Sequence, residues 1–188
     1  MSVPQSLAVP AGVTVGTVST SRGDFATHIA TPTGEVRGHV LLVPGWTGSK
    51  EDFTPILPLL AAAGFATTAY DQRGQYETPG APDDDYSLSA LAADAAAVRA
   101  ATAPDEVERT HLLGHSFGGL VVQQAVVDDP TPWRSLSLLC TGPGALGDSP
   151  ARPLHQVVEA IGTVPLAEIH AAREDGVERP ADIAEFME

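Results

Sequence analysis

The sequence predicts an α/β fold with a mostly parallel sheet, and three observations support that prediction. Residues 39–43 are continuously apolar, which is typical of a strand covered by helices on both faces. Strand-like and helix-like patterns then alternate from residue 39 to residue 140, as strand–helix–strand crossovers require. Finally, a Gly-x-Ser-x-Gly segment at residues 114–118 lies between an apolar strand and a helix-forming run.

The remaining elements follow from local patterns. Residues 13–18 alternate between apolar and small or polar residues, as a half-exposed strand does. After a turn, Phe25, Thr27 and Ile29 place their side chains on one face of a second strand, so we expect an N-terminal antiparallel hairpin. The helix after the buried strand is predicted to begin near Thr54, with Thr54 as its cap. Further strands are predicted at 65–70, 111–113 and 135–140, and further helices from Leu88 and over 120–127. From Gly142 onward the pattern changes to short helical pieces separated by Gly and Pro.

Composition excludes several classes of partner. Lys and Arg number 10 against 24 Asp and Glu, so the formal net charge is -14, and nucleic acids or anionic membranes are not expected partners. We see no signal peptide and no stretch of the roughly 18 to 20 apolar residues that a membrane span needs. The single cysteine, Cys140, follows an apolar run and is expected to be buried. We therefore expect a soluble, cytoplasmic protein in a reducing compartment.

The segment 114–118 is the strongest functional signal in the sequence. Glycines two positions before and after Ser116 leave room for a turn that would be too tight for side chains. Such a turn presents the serine hydroxyl at the end of a strand and at the start of a helix, where free N–H groups and the helix dipole favour negative charge. This arrangement indicates a reactive serine.

Three segments in register resemble the α/β-hydrolase superfamily. They are residues 41–49 (Leu-Leu-Val-Pro-Gly-Trp-Thr-Gly-Ser), 71–74 (Asp-Gln-Arg-Gly) and 114–119 (Gly-His-Ser-Phe-Gly-Gly), and the resemblance covers residues 39–140. The resemblance implies an α/β-hydrolase fold with helices on both faces of the sheet and a helical cap inserted after the sixth strand. We therefore assign residues 1–144 to the N-terminal part of the hydrolase core and residues 145–188 to the start of the cap.

The resemblance also assigns chemical roles. Ser116 matches the nucleophile, and the backbone N–H groups of Phe117 and Trp46 match the two donors of the oxyanion hole. The family often has His-Gly where this chain has Pro44-Gly45, which changes the loop but leaves the donor in place. No metal and no organic cofactor is implied, and the expected partner is a small-molecule acyl substrate.

Other residues near these motifs are given structural roles. We expect His115 to pack beneath the turn rather than act as the base, because its side chain points away from the serine. Asp71 and Arg73 are expected to hold their loop by hydrogen bonds or a charge pair.

The acid and the base of the family's triad are not found among these residues. In the family the acid and the histidine follow the nucleophile, after a seventh and an eighth strand. His155 and His170 fall in the cap-like region, where we expect them to line the surface or the pocket, and Asp148 is a weak candidate acid. We therefore expect these 188 residues to be the N-terminal portion of a longer hydrolase that lacks the C-terminal strands.

Three functions follow from this resemblance. The first is a serine hydrolase that cleaves an ester, amide or related acyl bond through an acyl-enzyme. The second is a non-catalytic hydrolase-like binding module, or a fragment completed by a partner, because the acid and base are missing. The third is a cofactor-free haloperoxidase, which uses the same triad. Haloalkane dehalogenases and epoxide hydrolases are disfavoured because those relatives have a carboxylate where Ser116 stands. The oligomeric state stays open.

Overall fold

A computed structural model describes residues 6–104 and 108–142 of the chain. In these ranges, six strands, three α-helices and one 3₁₀ helix follow one another in this order: β1 (Val13–Thr20), β2 (Gly23–Ala30), β3 (Gly38–Val43), the 3₁₀ helix (Lys50–Ile56), α1 (Leu57–Ala62), β4 (Phe65–Tyr70), α2 (Leu88–Thr102), β5 (Thr110–His115), α3 (Phe117–Asp128) and β6 (Trp133–Leu139).

The strands form one mixed sheet in the order β1-β2-β4-β3-β5-β6. β1 pairs with β2 in antiparallel orientation, and β2 joins the sheet antiparallel to β4. The pairings β3–β4, β3–β5 and β5–β6 are parallel. The predicted α/β fold, with its antiparallel N-terminal hairpin, is confirmed.

The side chains of β3 explain its continuous apolar run. Leu41 and Val43 join a core that also contains residues of α2 and α3. Val40 and Leu42 point to the opposite face, into a second core with Phe53 and residues of α1. Because successive side chains of a strand alternate between faces, both faces of β3 must be apolar when helices cover both.

The helix after β3 begins earlier than predicted. Thr54 lies inside the 3₁₀ helix, and its Oγ1 is 2.7 Å from Nδ1 of the buried His28, so it does not act as a helix cap. The residue before the 3₁₀ helix is Ser49. The helix begins at Lys50 because the Asp71 carboxylate accepts a hydrogen bond from the Lys50 backbone N–H, at 2.7 Å, and so satisfies the first free N–H of the helix.

β6 is the last strand of the sheet in the described part of the chain. Its side chains are mostly exposed, with Leu138 47% and Leu139 48% exposed. Cys140 follows β6 at a φ of 50° and is exposed, so the prediction that it is buried is wrong. The predicted cap over residues 145–188, with Asp148, His155 and His170, lies outside the described residues.

The longest helix of the described ranges is α2, with 15 residues. None of the helices in these ranges combines the length and the apolar character that crossing a bilayer requires.

Candidate active site

Ser116 occupies the junction between β5 and α3 in a strained backbone conformation. Its φ is 52° and its ψ is -118°, outside the regions that L-residues normally adopt. The junction is held by two hydrogen bonds, from the Ser116 N–H to the Leu139 carbonyl and from the Gly119 N–H to the Ser116 carbonyl, both 2.9 Å. A conformation of this kind costs about 1–3 kcal/mol and is found mainly at functional sites.

The two glycines of the motif are required by close backbone contacts. A Cβ on Gly114 would overlap the main chain of Gly118, one turn further on. A Cβ on Gly118 would overlap the carbonyl oxygens of Val43 and Pro44 at the end of β3. The predicted reason for the glycines therefore holds, and the second glycine also lets α3 approach β3.

The loop after β3 lies directly against Ser116. A Cβ built on Gly45 would be 3.2 Å from the Ser116 Cβ, which is tight contact. The loop turns where the Gly48 N–H donates to the Gly45 carbonyl at 3.1 Å. Thr47, the third residue of this turn, has a φ of 65°, which is rare for a β-branched residue. Ser116 and Thr47, in the loop next to it, are therefore both strained backbone positions.

Two glutamine side chains orient the peptide groups of this loop. The Gln72 side-chain amide donates to the Pro44 carbonyl at 2.9 Å, and the Gln75 amide donates to the Gly45 carbonyl at 3.1 Å. Because a trans peptide is planar, fixing the Gly45 carbonyl turns the Trp46 N–H to the opposite side. The Trp46 side chain is 48% exposed.

The three predicted site residues thus belong to two segments that touch. Ser116 and Phe117 are consecutive at the start of α3, and Trp46 follows the glycine that packs on Ser116. Sequence reasoning missed Gln72 and Gln75. The available signal was their position in and just after the Asp-Gln-Arg-Gly segment at 71–74.

A buried ion cluster fixes the far end of the same loop. Lys50 is fully buried, and its Nζ lies 2.9 Å from both Asp71 Oδ2 and Glu51 Oε1, and 2.5 Å from Glu77 Oε2. Burial by itself would lower the pKa of Lys50, but the hydrogen bonds to Glu77 and Asp71 outweigh it and raise the pKa above its ordinary value. Lys50 is therefore a cation at neutral pH.

Arg73 ties the same segment to helix α2. Its Nε and Nη2 donate to the two carboxylate oxygens of Asp94 at 2.9 Å and 2.8 Å, and Asp94 is 1% exposed. Asp71 accepts from both the backbone and the side chain of Lys50. The prediction that Asp71 and Arg73 hold their loop by hydrogen bonds and charge pairs is confirmed.

The histidines of the described part of the chain have partners other than Ser116. His28 contacts Thr54 at 2.7 Å, and His111 contacts Ser135 at 2.8 Å. His39 lies between two threonine hydroxyls, at 3.0 Å and 3.1 Å, and its burial lowers its pKa to about 4. The half-buried His115 packs against the Gly45 position.

A metal site in a protein is typically built from several His, Cys, Asp or Glu side chains that converge on one point. Within residues 6–104 and 108–142, no group of three or more is arranged to hold an ion.

In this chain a parallel strand, β5, leads through a strained serine turn into helix α3, and Ser116 lies at the carboxyl edge of the sheet. These features define an α/β protein. The chain belongs to the α/β-hydrolase family, because a family profile described as alpha/beta hydrolase fold matches residues 38–179.

Individual relatives agree with this assignment. A provisionally named carbamate hydrolase, RutD, from Variovorax paradoxus (strain S110) is 41% identical over 100 residues, which are 53% of this chain and 36% of that protein. The matched part of the chain spans little more than a third of the length of such curated relatives.

Solved structures share the fold. A provisionally named lipase from Acinetobacter baumannii AYE superposes with a TM-score of 0.72 at 18% identity, over 94% of this chain and 59% of that one. An epoxide hydrolase from an endophytic Streptomyces superposes with a TM-score of 0.68 at 25% identity, over 87% of this chain and 50% of that one.

Proposed function

We propose that the intact protein is a serine hydrolase that cleaves an ester, amide or related acyl bond of a small molecule, with Ser116 as nucleophile. One observation carries the proposal: Ser116 has the strained φ of 52° and ψ of -118° at the start of α3, in contact with the loop that carries Trp46. A serine held in this way has its hydroxyl lifted clear of the strand and is accessible to a carbonyl carbon.

The reaction proceeds in two halves. A histidine base takes the proton from the Ser116 hydroxyl while its oxygen bonds to the substrate carbonyl carbon, and the carbonyl electron pair moves onto oxygen. The backbone N–H groups of Phe117 and Trp46 stabilise this oxyanion. The intermediate then expels the leaving group, which takes the proton from the histidine, and water releases the acyl group by the same steps.

The base and its acid partner come from outside the described residues. His28, His39 and His111 are engaged with threonine or serine hydroxyls, and His115 packs on Gly45. No metal or organic cofactor takes part in the proposed steps, because the oxyanion is stabilised by main-chain donors.

The relatives' names narrow the substrate class. A carbamate carbonyl, the target given in the name of RutD, is an acyl group open to the same attack by Ser116. Epoxide opening in this family uses a carboxylate nucleophile, and position 116 of this chain is a serine. A carbamate, ester or amide is therefore a better candidate than an epoxide.

The test compares Ser116→Ala with Ser19→Ala, which removes an exposed serine of β1, in the intact protein. Turnover of p-nitrophenyl acetate and labelling by a fluorophosphonate probe are measured for both variants. Ser116→Ala is expected to lose more than about 10⁴-fold in kcat and all labelling, while Ser19→Ala keeps both.

Full turnover by Ser116→Ala would refute the nucleophile assignment. A wild-type protein that neither turns over these substrates nor reacts with the probe would instead favour the binding-module alternative.

A further inference from the structure

We infer that Gln75 is a positioning residue for catalysis: its side-chain amide holds the Gly45–Trp46 peptide so that the Trp46 N–H faces the carbonyl oxygen of the substrate. This inference rests on the proposed function. Gln75 itself does not touch the substrate and acts only through the orientation of one peptide group.

The first support is the way in which the Gly45 carbonyl is held. It accepts two hydrogen bonds at 3.1 Å, one from the Gly48 N–H and one from Gln75 Nε2. The hydrogen bond from Gly48 lies within the turn and does not restrict how the whole turn is oriented. The hydrogen bond from Gln75 comes from another segment and therefore fixes the plane of the Gly45–Trp46 peptide relative to the rest of the protein. Since the peptide is planar and trans, the direction of the Trp46 N–H is fixed as well.

The second support is the rigidity of the segment that presents Gln75. Two successive turns enclose it, with the Gln75 N–H donating to the Gln72 carbonyl and the Thr78 N–H donating to the Gln75 carbonyl, both at 2.9 Å. The Thr78 hydroxyl in turn accepts from the Ala26 N–H of β2 at 3.0 Å. Gln75 is therefore tied to β2 through Thr78, and its anchoring is independent of the loop that it contacts.

The third support is that only one end of the Gln75 side-chain amide is hydrogen-bonded to any described residue. Nε2 of Gln75 donates to the loop, while its Oε1 is buried and has no hydrogen-bond partner within the described part of the chain. Gln72 shows the same pattern, with Nε2 on the Pro44 carbonyl and Oε1 without a partner there. In both glutamines it is therefore the donor end of the amide that contacts the loop.

The fourth support is the strain in the loop. Thr47 has a φ of 65°, so the turn has a tendency to relax toward another conformation. The Gln75 donor opposes that relaxation, because it stabilises the one arrangement in which the Gly45 carbonyl faces residue 75. Without it, the Trp46 N–H would spend less time aimed at the space beside Ser116.

The experiment uses three variants of the intact protein. Gln75→Leu removes the donor, and Gln75→Glu keeps the size of the side chain but presents a carboxylate that repels the Gly45 carbonyl at neutral pH. Gln124→Leu is the control, because that glutamine donates to Asp128 on the exposed side of α3, at 2.7 Å. Folding is checked by circular dichroism and thermal unfolding.

Hydrolysis of p-nitrophenyl acetate is compared with that of the corresponding thionoester, whose sulfur accepts hydrogen bonds weakly. Gln75→Leu and Gln75→Glu are expected to lower kcat for the oxygen ester about 10- to 100-fold with KM nearly unchanged, by analogy with the loss of an oxyanion donor. The loss for the thionoester should be several-fold smaller, and Gln124→Leu should match the wild type for both substrates.

The outcomes separate this inference from the proposed function. If Ser116→Ala is inactive while both folded Gln75 variants keep wild-type kcat, the inference is wrong and the hydrolase assignment stands. Equal losses on the two substrates would also overturn it, because a merely structural role does not distinguish oxygen from sulfur. If Gln75→Leu does not fold, Gln75→Glu decides. Activity that persists in Ser116→Ala refutes the proposed function itself.

Discussion

Replacing Lys50 with methionine should destabilise the protein more than removal of a surface charge. Lys50 and Asp71 are both fully buried, and their charged atoms lie 2.9 Å apart. Methionine fills much of the space of the lysine stem, so the main change is the loss of the cation. Asp71 and the nearly buried Glu51 would then be left without the charge that faces them.

The expected magnitude follows from the burial of the partners. Breaking a buried ion pair by removing one member costs about 3–5 kcal/mol, because the remaining charge cannot return to water. Total stability of a domain is about 5–15 kcal/mol, so Lys50→Met should remove a large share of it. Glu77 is different, because its side chain is 53% exposed. Glu77→Gln should therefore cost less than about 1 kcal/mol.

Urea unfolding at neutral pH, followed by circular dichroism, measures both variants in the intact protein. The double variant Lys50→Met/Asp71→Asn completes a thermodynamic cycle and should recover part of the loss, because it removes both buried charges. A cost below about 1 kcal/mol for Lys50→Met, or equal costs for Lys50→Met and Glu77→Gln, would show that burial of this cluster does not determine its energy.

Two further predictions concern buried positions in the core. Gly118→Ala should lower the free energy of unfolding by about 1–3 kcal/mol, because its Cβ would overlap the carbonyl oxygens of Val43 and Pro44. Gly16→Ala should leave the free energy of unfolding nearly unchanged, since nothing lies within 4 Å of a Cβ at that position. Equal unfolding curves for the two variants would contradict this reasoning. Burial lowers the pKa of His39 to about 4 from its ordinary 6.5, so the folded state binds this proton less readily than the unfolded state. The contribution of neutral His39 to the free energy of unfolding is therefore fully present above pH 6.5. It falls by about 3 kcal/mol as the pH drops to about 4. The free energy of unfolding of His39→Gln should therefore decline less than that of the wild type between pH 6.5 and pH 4. If urea unfolding gives the same pH dependence for both proteins, the prediction is wrong.

The sequence allowed much of the fold and the tight backbone turn at Ser116 to be predicted. The continuous apolar run of β3 and the glycines around Ser116 report constraints that act within a few residues, and both were interpreted correctly. Such local constraints leave a direct trace in the order of residue types.

The side-chain network around the loop could not be predicted in the same way. Lys50 reaches Asp71 across 21 positions of the chain, and Gln75 reaches Gly45 across 30. These contacts depend on β3 and β4 being neighbours in the sheet, which a single pattern of residues does not specify. The start of the 3₁₀ helix was missed for the same reason, since the Asp71 carboxylate binds the N–H of its first residue.

Backbone strain in the described part of the chain is concentrated at one edge of the sheet. Its four non-glycine residues with positive φ are Thr47, Tyr76, Ser116 and Cys140. They follow the carboxyl ends of β3, β4, β5 and β6, in that order. In α/β sheets, ligands bind at this edge. Strained residues persist only where surrounding contacts hold them. The strain at the ends of these four neighbouring strands is therefore the structural basis on which the proposed function places Ser116 and the Trp46 loop at this edge.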